Sequence, residues 1–312
     1  MVAVAQTALL PARLADWAHG RTLLDRRSGP AYVCIAAMAG GAALLAHLLG
    51  YRWEAAFVSG LTLALATFIA LSMAARWIGF ARLATASESC LMLLAISALT
   101  SMTAFIAAGL ALPLVDDSLA QVDRALFGFD RSMVVRLTQD WPGLHGLSIR
   151  IYNTLSLQPF ALLPALCLLG KDRLAWRFLL AWSLTLAACV AISPFMPAHG
   201  GPPYALSWQD VFDGARDGSR RVIDSSVLTG IITFPSFHAA GATLLAWGGR
   251  WLPLLRWPMV MLNVAVAITA VIVGGHYVTD IVAGAGVAAM AIWLSGGPAI
   301  LRVRSSRTVR AG

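Results

Sequence analysis

Most of the chain consists of long apolar runs separated by short polar connections. Each run is close to the ~20 residues that an α-helix needs to cross ~30 Å of hydrocarbon. The runs are too long for barrel strands and lack the alternation of apolar and polar positions typical of them. The pattern predicts an all-α, polytopic transmembrane bundle of about eight spans. We place the spans near residues 31–50, 55–75, 91–115, 150–170, 176–196, 228–249, 257–275 and 277–300.

Three polar stretches between and before these runs differ in character. Residues 116–149 mix charged and apolar positions, which predicts an amphipathic helix lying on the outer surface of the bundle. Residues 197–227 are rich in Gly, Pro, Asp and Arg, a composition typical of a loop. Residues 1–30 place arginines among leucines without a compact apolar core. We therefore expect an interfacial helix there rather than a cleavable signal peptide.

Composition supports a membrane protein, and the charge distribution sets its orientation. The chain is 59% hydrophobic and only 12% charged, unlike a soluble domain. A net charge of +8 is compatible with nucleic-acid binding, but the basic residues lie mostly on one side of the predicted bundle. Basic loops stay cytoplasmic, so both termini are predicted to be inside. We expect the membrane to be a bacterial inner membrane. Since the basic residues are explained by topology, no nucleic-acid partner is expected. The inner basic residues are Arg13, Arg21, Arg26, Arg27, Arg76, Arg82, Lys171, Arg173, Arg177, Arg250, Arg256, Arg302, Arg304, Arg307 and Arg310.

A histidine and an aspartate stand at the head of the last apolar run. If residues 277–297 are helical, His276 and Asp280 lie on one face, one turn apart. A carboxylate that holds an imidazole is the arrangement an activated nucleophile or general base requires. An aspartate inside a membrane is costly and usually functional. The pair is therefore the first candidate for chemistry.

A second histidine is predicted to reach the same place. His238 lies in the segment Phe-Pro-Ser-Phe-His-Ala-Ala-Gly, residues 234–241, whose small residues permit close helix packing. From His238 to His276 the chain descends one span and ascends the next, so both reach the outer face. His238 precedes Arg250 by ~18 Å of helix, which places it below the outer surface. Asp280 is expected ~6 Å deep, so the three side chains are compatible with one pocket.

Two histidines and an aspartate suit phosphoryl transfer through a phosphohistidine. One imidazole attacks phosphorus while the carboxylate orients it, and the other protonates the departing oxygen. A zinc site would need further ligands, and the sequence has no HExxH motif or Cys pair, so we expect no metal and no cofactor. The four dispersed cysteines are expected to be packing residues. A transporter or scaffold that uses the polar residues for proton coupling or packing is the alternative from another class.

The two histidine motifs resemble those of a known family. Phe-Pro-Ser-Phe-His at 234–238 and His-Tyr-Val-Thr-Asp-Ile-Val-Ala-Gly at 276–284 are similar to the last two motifs of the type 2 phosphatidic acid phosphatase superfamily. The tyrosine directly after the second histidine, Tyr277, makes the motif similar to that of the branch that holds the inositol phosphorylceramide synthases and sphingomyelin synthases. The resemblance implies His276 as nucleophile, Asp280 as its partner and His238 as acid. It also implies a membrane lipid substrate carrying a phosphate or phosphodiester, with water or an alcohol as acceptor.

The resemblance further implies a division of the chain and leaves phosphate binding open. A six-span core is expected at 88–300, after an N-terminal unit at 1–87 and before a basic tail at 301–312. Phe237 occupies a position where the phosphatases have glycine, and residues 268–275 lack their arginine before the second histidine. The Lys…Arg-Pro motif that the phosphatases have before the long loop is also missing. In its place, Pro197 to Tyr204 resembles the Pro-rich segment of the synthases. Arg220 and Arg221 fit a solvated loop face or a phosphate contact equally well. The candidates for substrate binding are Ser236, Arg220, Arg221 and Tyr204.

Overall fold

The computed structural model describes residues 29–201, 207–273 and 275–296. The predicted interfacial helix at 1–30, apart from its last two residues, lies outside the described residues, as do Tyr204 and the tail at 301–312. Within the described ranges the chain is mostly helical, as predicted. The α-helices are α1 (Gly29–Leu48), α2 (Ala55–Trp77), α3 (Ala81–Ala108), α4 (Asp116–Phe127), α5 (Ser132–Asp140), α6 (Pro142–Asn153), α7 (Gln158–Leu168), α8 (Asp172–Ile192), α9 (Ser207–Arg216), α10 (Phe237–Gly249), α11 (Arg256–Ile272) and α12 (Val278–Ser295).

Five of these helices are long and apolar enough to cross a membrane, namely α1, α2, α3, α8 and α12. Helices α6 and α7 flank the 3₁₀ turn Thr154–Ser156 and together form a sixth candidate, bent by 45°. The bend coincides with Pro159, which has no N–H to continue the helical ladder. The chain is therefore an integral membrane protein. The predicted count of eight is not confirmed, because α10 has only 13 residues and α11 only 17.

The segment at 116–149 forms three helices instead of the single amphipathic helix predicted. Helix α4 ends at Phe127, because the next residue, Gly128, is left-handed with a φ of 59°. Helix α5 ends at Asp140, and after Trp141 the helix α6 begins at Pro142. Gly128 and Pro142 therefore divide the predicted single helix into three.

Contacts between connections join pairs that were predicted to lie on the same side of the membrane, whereas the orientation itself stays a prediction. Strands β1 (Arg52–Trp53) and β2 (Val222–Ile223) pair in parallel, joining two connections that were both predicted to lie outside. At the opposite end, Arg82 donates to the carbonyl of Leu168 at 3.1 Å and Lys171 donates to that of Trp251. The connections predicted to lie inside thus also meet one another.

The main core lies between α3, α7, α8, α10 and α12. Helix α10 packs closely because its small residues leave room for large neighbours. A Cβ at Gly248 would come within 2.7 Å of Leu162 and 2.8 Å of Phe178. Gly241 similarly faces Leu155 and Trp182. The small residues after His238 therefore allow the close packing predicted for them.

Helices α1 and α2 are attached to α3 through a buried charge. Glu88 of α3 is 3% exposed, accepts a 2.6 Å hydrogen bond from Arg76 of α2 and a 3.1 Å bond from the Tyr32 hydroxyl of α1. A buried carboxylate is stable only when it is paired and hydrogen-bonded. Helix α3 begins at Ala81, before the predicted boundary at residue 88. The division into 1–87 and 88–300 stays a prediction.

Candidate active site

His276 lies just before α12 rather than within it. Tyr277 is the N-cap residue, and His276 and Asp280 still meet, with the histidine Nδ1 3.4 Å from the aspartate Oδ2. The carbonyl oxygen of Thr233 is closer to the same Nδ1, at 3.0 Å. His276 is 3% exposed and Asp280 is fully buried. The imidazole of His276 therefore has two partners, the Asp280 carboxylate and the Thr233 backbone carbonyl.

These two partners determine which ring nitrogen of His276 carries the proton. Both the Thr233 carbonyl and the Asp280 carboxylate are acceptors, so Nδ1 carries the hydrogen in the neutral imidazole. The other nitrogen, Nε2, then keeps its lone pair. This is the tautomer that a nucleophilic imidazole needs.

His238, in the first turn of α10, lies across from His276 with the ring centroids 6.1 Å apart. Its ring stacks on Tyr152 of α6, with centroids 3.8 Å apart and planes 15° from parallel. The Tyr152 hydroxyl is 3.1 Å from His238 Nδ1. In nearly parallel rings that hydroxyl approaches the nitrogen from above the imidazole plane, whereas the lone pair lies in the plane. Stacking is therefore the stronger part of this contact.

Both histidines line one cavity of about 70 Å³, which has room for several water molecules or a group of similar bulk. Helix α3 contributes hydroxyl groups to the wall, and the remaining lining is mostly apolar and aromatic. The other lining residues are Thr100, Ser101, Ala104, Tyr152, Leu186, Val190, Trp208, Gly230, Ile231, Ile232 and Phe237.

The candidates for substrate binding lie in different places. Ser236 is fully buried, and its hydroxyl caps α10 by accepting from the Ala239 N–H at 3.3 Å. Arg220 donates to Asp224 at 2.7 Å and to the Ser226 hydroxyl at 2.6 Å. The Arg221 guanidinium lies 4.9 Å from the ring centre of Tyr51. The structure thus brings the two histidines and Asp280 together, whereas neither arginine is among the residues that line the cavity.

Several residues around the histidines were not assigned a role from the sequence. Asp123 of α4 accepts from the backbone that follows His276, and Arg131, just before α5, donates to the carbonyl of His276. Asp116 of α4 accepts from the Tyr277 hydroxyl, and Thr233 and Tyr152 contact the two imidazoles. The charged residues of the segment at 116–149, called the surface segment below, could have been noticed from the sequence. Nothing in their spacing, however, points to contacts with residues about 150 positions later. Within the described ranges, no group of three or more His, Cys, Asp or Glu side chains is placed to hold a metal ion.

Comparison with known families adds one finding. A family model described as the PAP2 superfamily matches residues 117–294, more than half of the chain. The matched region runs from the start of α4 to the end of α12 and contains both histidines and Asp280. No curated protein and no solved structure matches the chain.

Proposed function

Because the chain belongs to the PAP2 superfamily, we propose that it is a membrane enzyme that cleaves a lipid phosphate or phosphodiester through a phosphohistidine. The observation that carries this proposal is the pair of imidazoles facing one cavity, with Nδ1 of His276 between two acceptors. The transporter or scaffold alternative does not account for a histidine whose tautomer is fixed in this way.

The proposed reaction has two steps. Nε2 of His276 forms a bond to phosphorus while the bond from phosphorus to the leaving oxygen breaks, and His238 gives that oxygen a proton. Asp280 and the Thr233 carbonyl accept from Nδ1–H and stabilise the positive charge that develops on the ring. In the second step His238 takes a proton from water or an alcohol, whose oxygen binds phosphorus as the N–P bond breaks.

The finer assignment is a transferase resembling the inositol phosphorylceramide synthases. It is supported by the sequence motif around Tyr277 and by Phe237, which lines the cavity where the phosphatases have glycine. The same proposal places the site on the outer, periplasmic face of a bacterial inner membrane. Its support is the distribution of basic residues together with the meeting of the predicted outer connections at one end of the bundle.

The direct test is to trap the covalent intermediate. Purified protein in lipid vesicles is mixed with a lipid labelled with ³²P in its phosphate and quenched within milliseconds to seconds. We expect label on the protein that is lost in acid and stable in alkali, and that is absent in His276→Ala. Full labelling or full turnover in His276→Ala would contradict the proposal. Repeating the reaction with an added lipid alcohol separates transfer, which yields a new phosphodiester, from hydrolysis.

A further inference from the structure

The backbone that follows His276 is held by two side chains from the surface segment. The buried carboxylate of Asp123 accepts from the N–H of Val278 at 2.8 Å, the N–H of Thr279 at 2.9 Å and the Thr279 hydroxyl at 2.6 Å. Arg131 donates from Nη1 to the carbonyl oxygen of His276 at 2.7 Å. One residue thus binds the N–H side of this turn and the other binds its carbonyl side.

This arrangement completes the hydrogen bonding of the first turn of α12. The Tyr277 N–H donates to the Asp280 carboxylate at 2.9 Å, and the Asp280 N–H donates to the Tyr277 carbonyl at 3.1 Å. With Asp123 on Val278 and Thr279, all four N–H groups that a helix leaves without internal partners are satisfied. A carboxylate is also favoured at this end by the helix dipole.

The position of His276 needs such support because the residue lies outside the helix. Its own N–H reaches the Ala270 carbonyl only at a long 3.4 Å. The guanidinium of Arg131 is largely enclosed: Gly201 packs directly against its side chain, and its Cζ lies 5.9 Å from the centre of the Tyr277 ring. Burial lowers the pKa of Arg131, yet an arginine stays charged at any physiological pH. The guanidinium can therefore donate to the His276 carbonyl at any physiological pH.

We propose that Asp123, with Arg131 as the opposing arm, is a positioning residue that sets where the His276 imidazole stands in the cavity. This inference rests on the proposed function, because it assigns the residue a part in the nucleophilic step. Asp123 acts through the backbone and touches no reacting atom. Its loss lets the segment around His276 shift, and a displacement of about 1 Å from the productive geometry costs about 100-fold in rate.

The test compares Asp123→Asn with Asp117→Asn, a matched change at an exposed position on the same helix. The rate and amplitude of ³²P incorporation are measured in single turnovers and normalised to folded protein. For Asp123→Asn we expect a rate reduced about tenfold or more with the amplitude kept, and for Asp117→Asn no change beyond about twofold. A normal rate in Asp123→Asn would overturn the proposal. So would a reduced amplitude with the rate kept, since that outcome indicates a purely structural role.

A second pair of variants tests the opposing arm and guards against misfolding of Asp123→Asn. Arg131→Gln keeps an N–H donor, whereas Arg131→Met removes it at similar length. We expect Arg131→Gln to retain at least several-fold more activity than Arg131→Met. Equal rates in the two variants would show that Arg131 does not help to position His276.

A readout that does not need turnover separates this inference from the proposed function. The rate at which diethyl pyrocarbonate modifies His276 is measured by mass spectrometry in wild type, Asp123→Asn and Asp117→Asn. We expect modification at least about threefold faster in Asp123→Asn alone, because the freed segment exposes a side chain that is now 3% exposed. If wild type forms no phosphohistidine, the proposed function fails, and this comparison still decides the positioning role: equal modification rates would reject it.

Discussion

The side chains of His276 and Asp280 meet across the first turn of α12, with Nδ1 3.4 Å from Oδ2. The same Oδ2 accepts from the Tyr277 N–H at 2.9 Å, so one carboxylate oxygen both caps the helix and faces the imidazole. The other oxygen, Oδ1, is buried and makes no hydrogen bond within the described residues. The orientation of the carboxylate is thus set by the helix cap.

The first prediction follows from this shared oxygen. Asp280→Asn replaces a charged acceptor with a neutral amide and removes the charge that stabilises the phosphorylated ring. We expect the rate of phosphohistidine formation to fall up to about 10⁴-fold, the loss seen when the equivalent carboxylate is made neutral in a catalytic triad. Rapid-quench labelling measures it, and size-exclusion chromatography in detergent confirms that the variant is folded. A loss below about tenfold would show that the Thr233 carbonyl alone orients His276.

The second prediction concerns the contact between Tyr152 and His238. Tyr152→Phe removes the hydroxyl but keeps a ring for His238 to stack on, whereas Tyr152→Leu removes the stack as well. We expect turnover of Tyr152→Phe within about threefold of wild type and that of Tyr152→Leu to be lower by about tenfold. Steady-state turnover of a lipid with a poor leaving group is the measurement, since the acid matters most there. Equal losses in both variants would show instead that the hydroxyl is what matters.

The third prediction uses two glycines of α12 as a matched pair. A Cβ at Gly284 would run into the carbonyl oxygen of Ser236, two residues before His238, whereas a Cβ at Gly286 would meet no atom within 4 Å. We expect Gly284→Ala to reduce the free energy of unfolding by about 1–3 kcal/mol through overpacking. Thermal unfolding in detergent measures it. Gly286→Ala should be neutral or slightly stabilising, and similar destabilisation by both variants would contradict the argument.

The sequence predicted the helical membrane class and the grouping of the two histidines with Asp280 because these depend on local patterns. Apolar runs reveal long helices wherever the run is uninterrupted, as in α2 and α8. The grouping of His238 with His276 followed from counting residues down one helix and up the next. The shorter α10 and the bend between α6 and α7 were not anticipated, because turn residues and prolines overrode the apolar pattern there.

The supporting residues of the site were beyond the reach of sequence patterns. The bond from Asp123 to Val278 joins residues 155 positions apart, and that from Arg131 to His276 joins residues 145 apart. Such pairs are set by how the surface helices seat on the bundle. Thr233 acts through its carbonyl oxygen, a group that every residue carries, so its identity gave no signal. Side-chain type predicts chemistry, whereas backbone partners appear only in three dimensions.

The last prediction concerns Arg220, whose phosphate-binding role stays a prediction. Its guanidinium is already held by Asp224 and Ser226, so we expect Arg220→Ala to lower the melting temperature in detergent and to leave KM for the lipid within about twofold.

The same contact predicts how this stability depends on pH. Burial raises the pKa of Asp224, but the hydrogen bonds from Ser226 and the charge of Arg220 outweigh that effect and hold the pKa below its usual value. A carboxylate with a lowered pKa stabilises the fold above about pH 4, and this stability is lost as the pH falls below that value. The melting temperatures of wild type and Arg220→Ala should therefore differ at pH 7 and converge at acidic pH. A tenfold rise in KM, with an unchanged melting temperature, would instead assign Arg220 to the substrate phosphate.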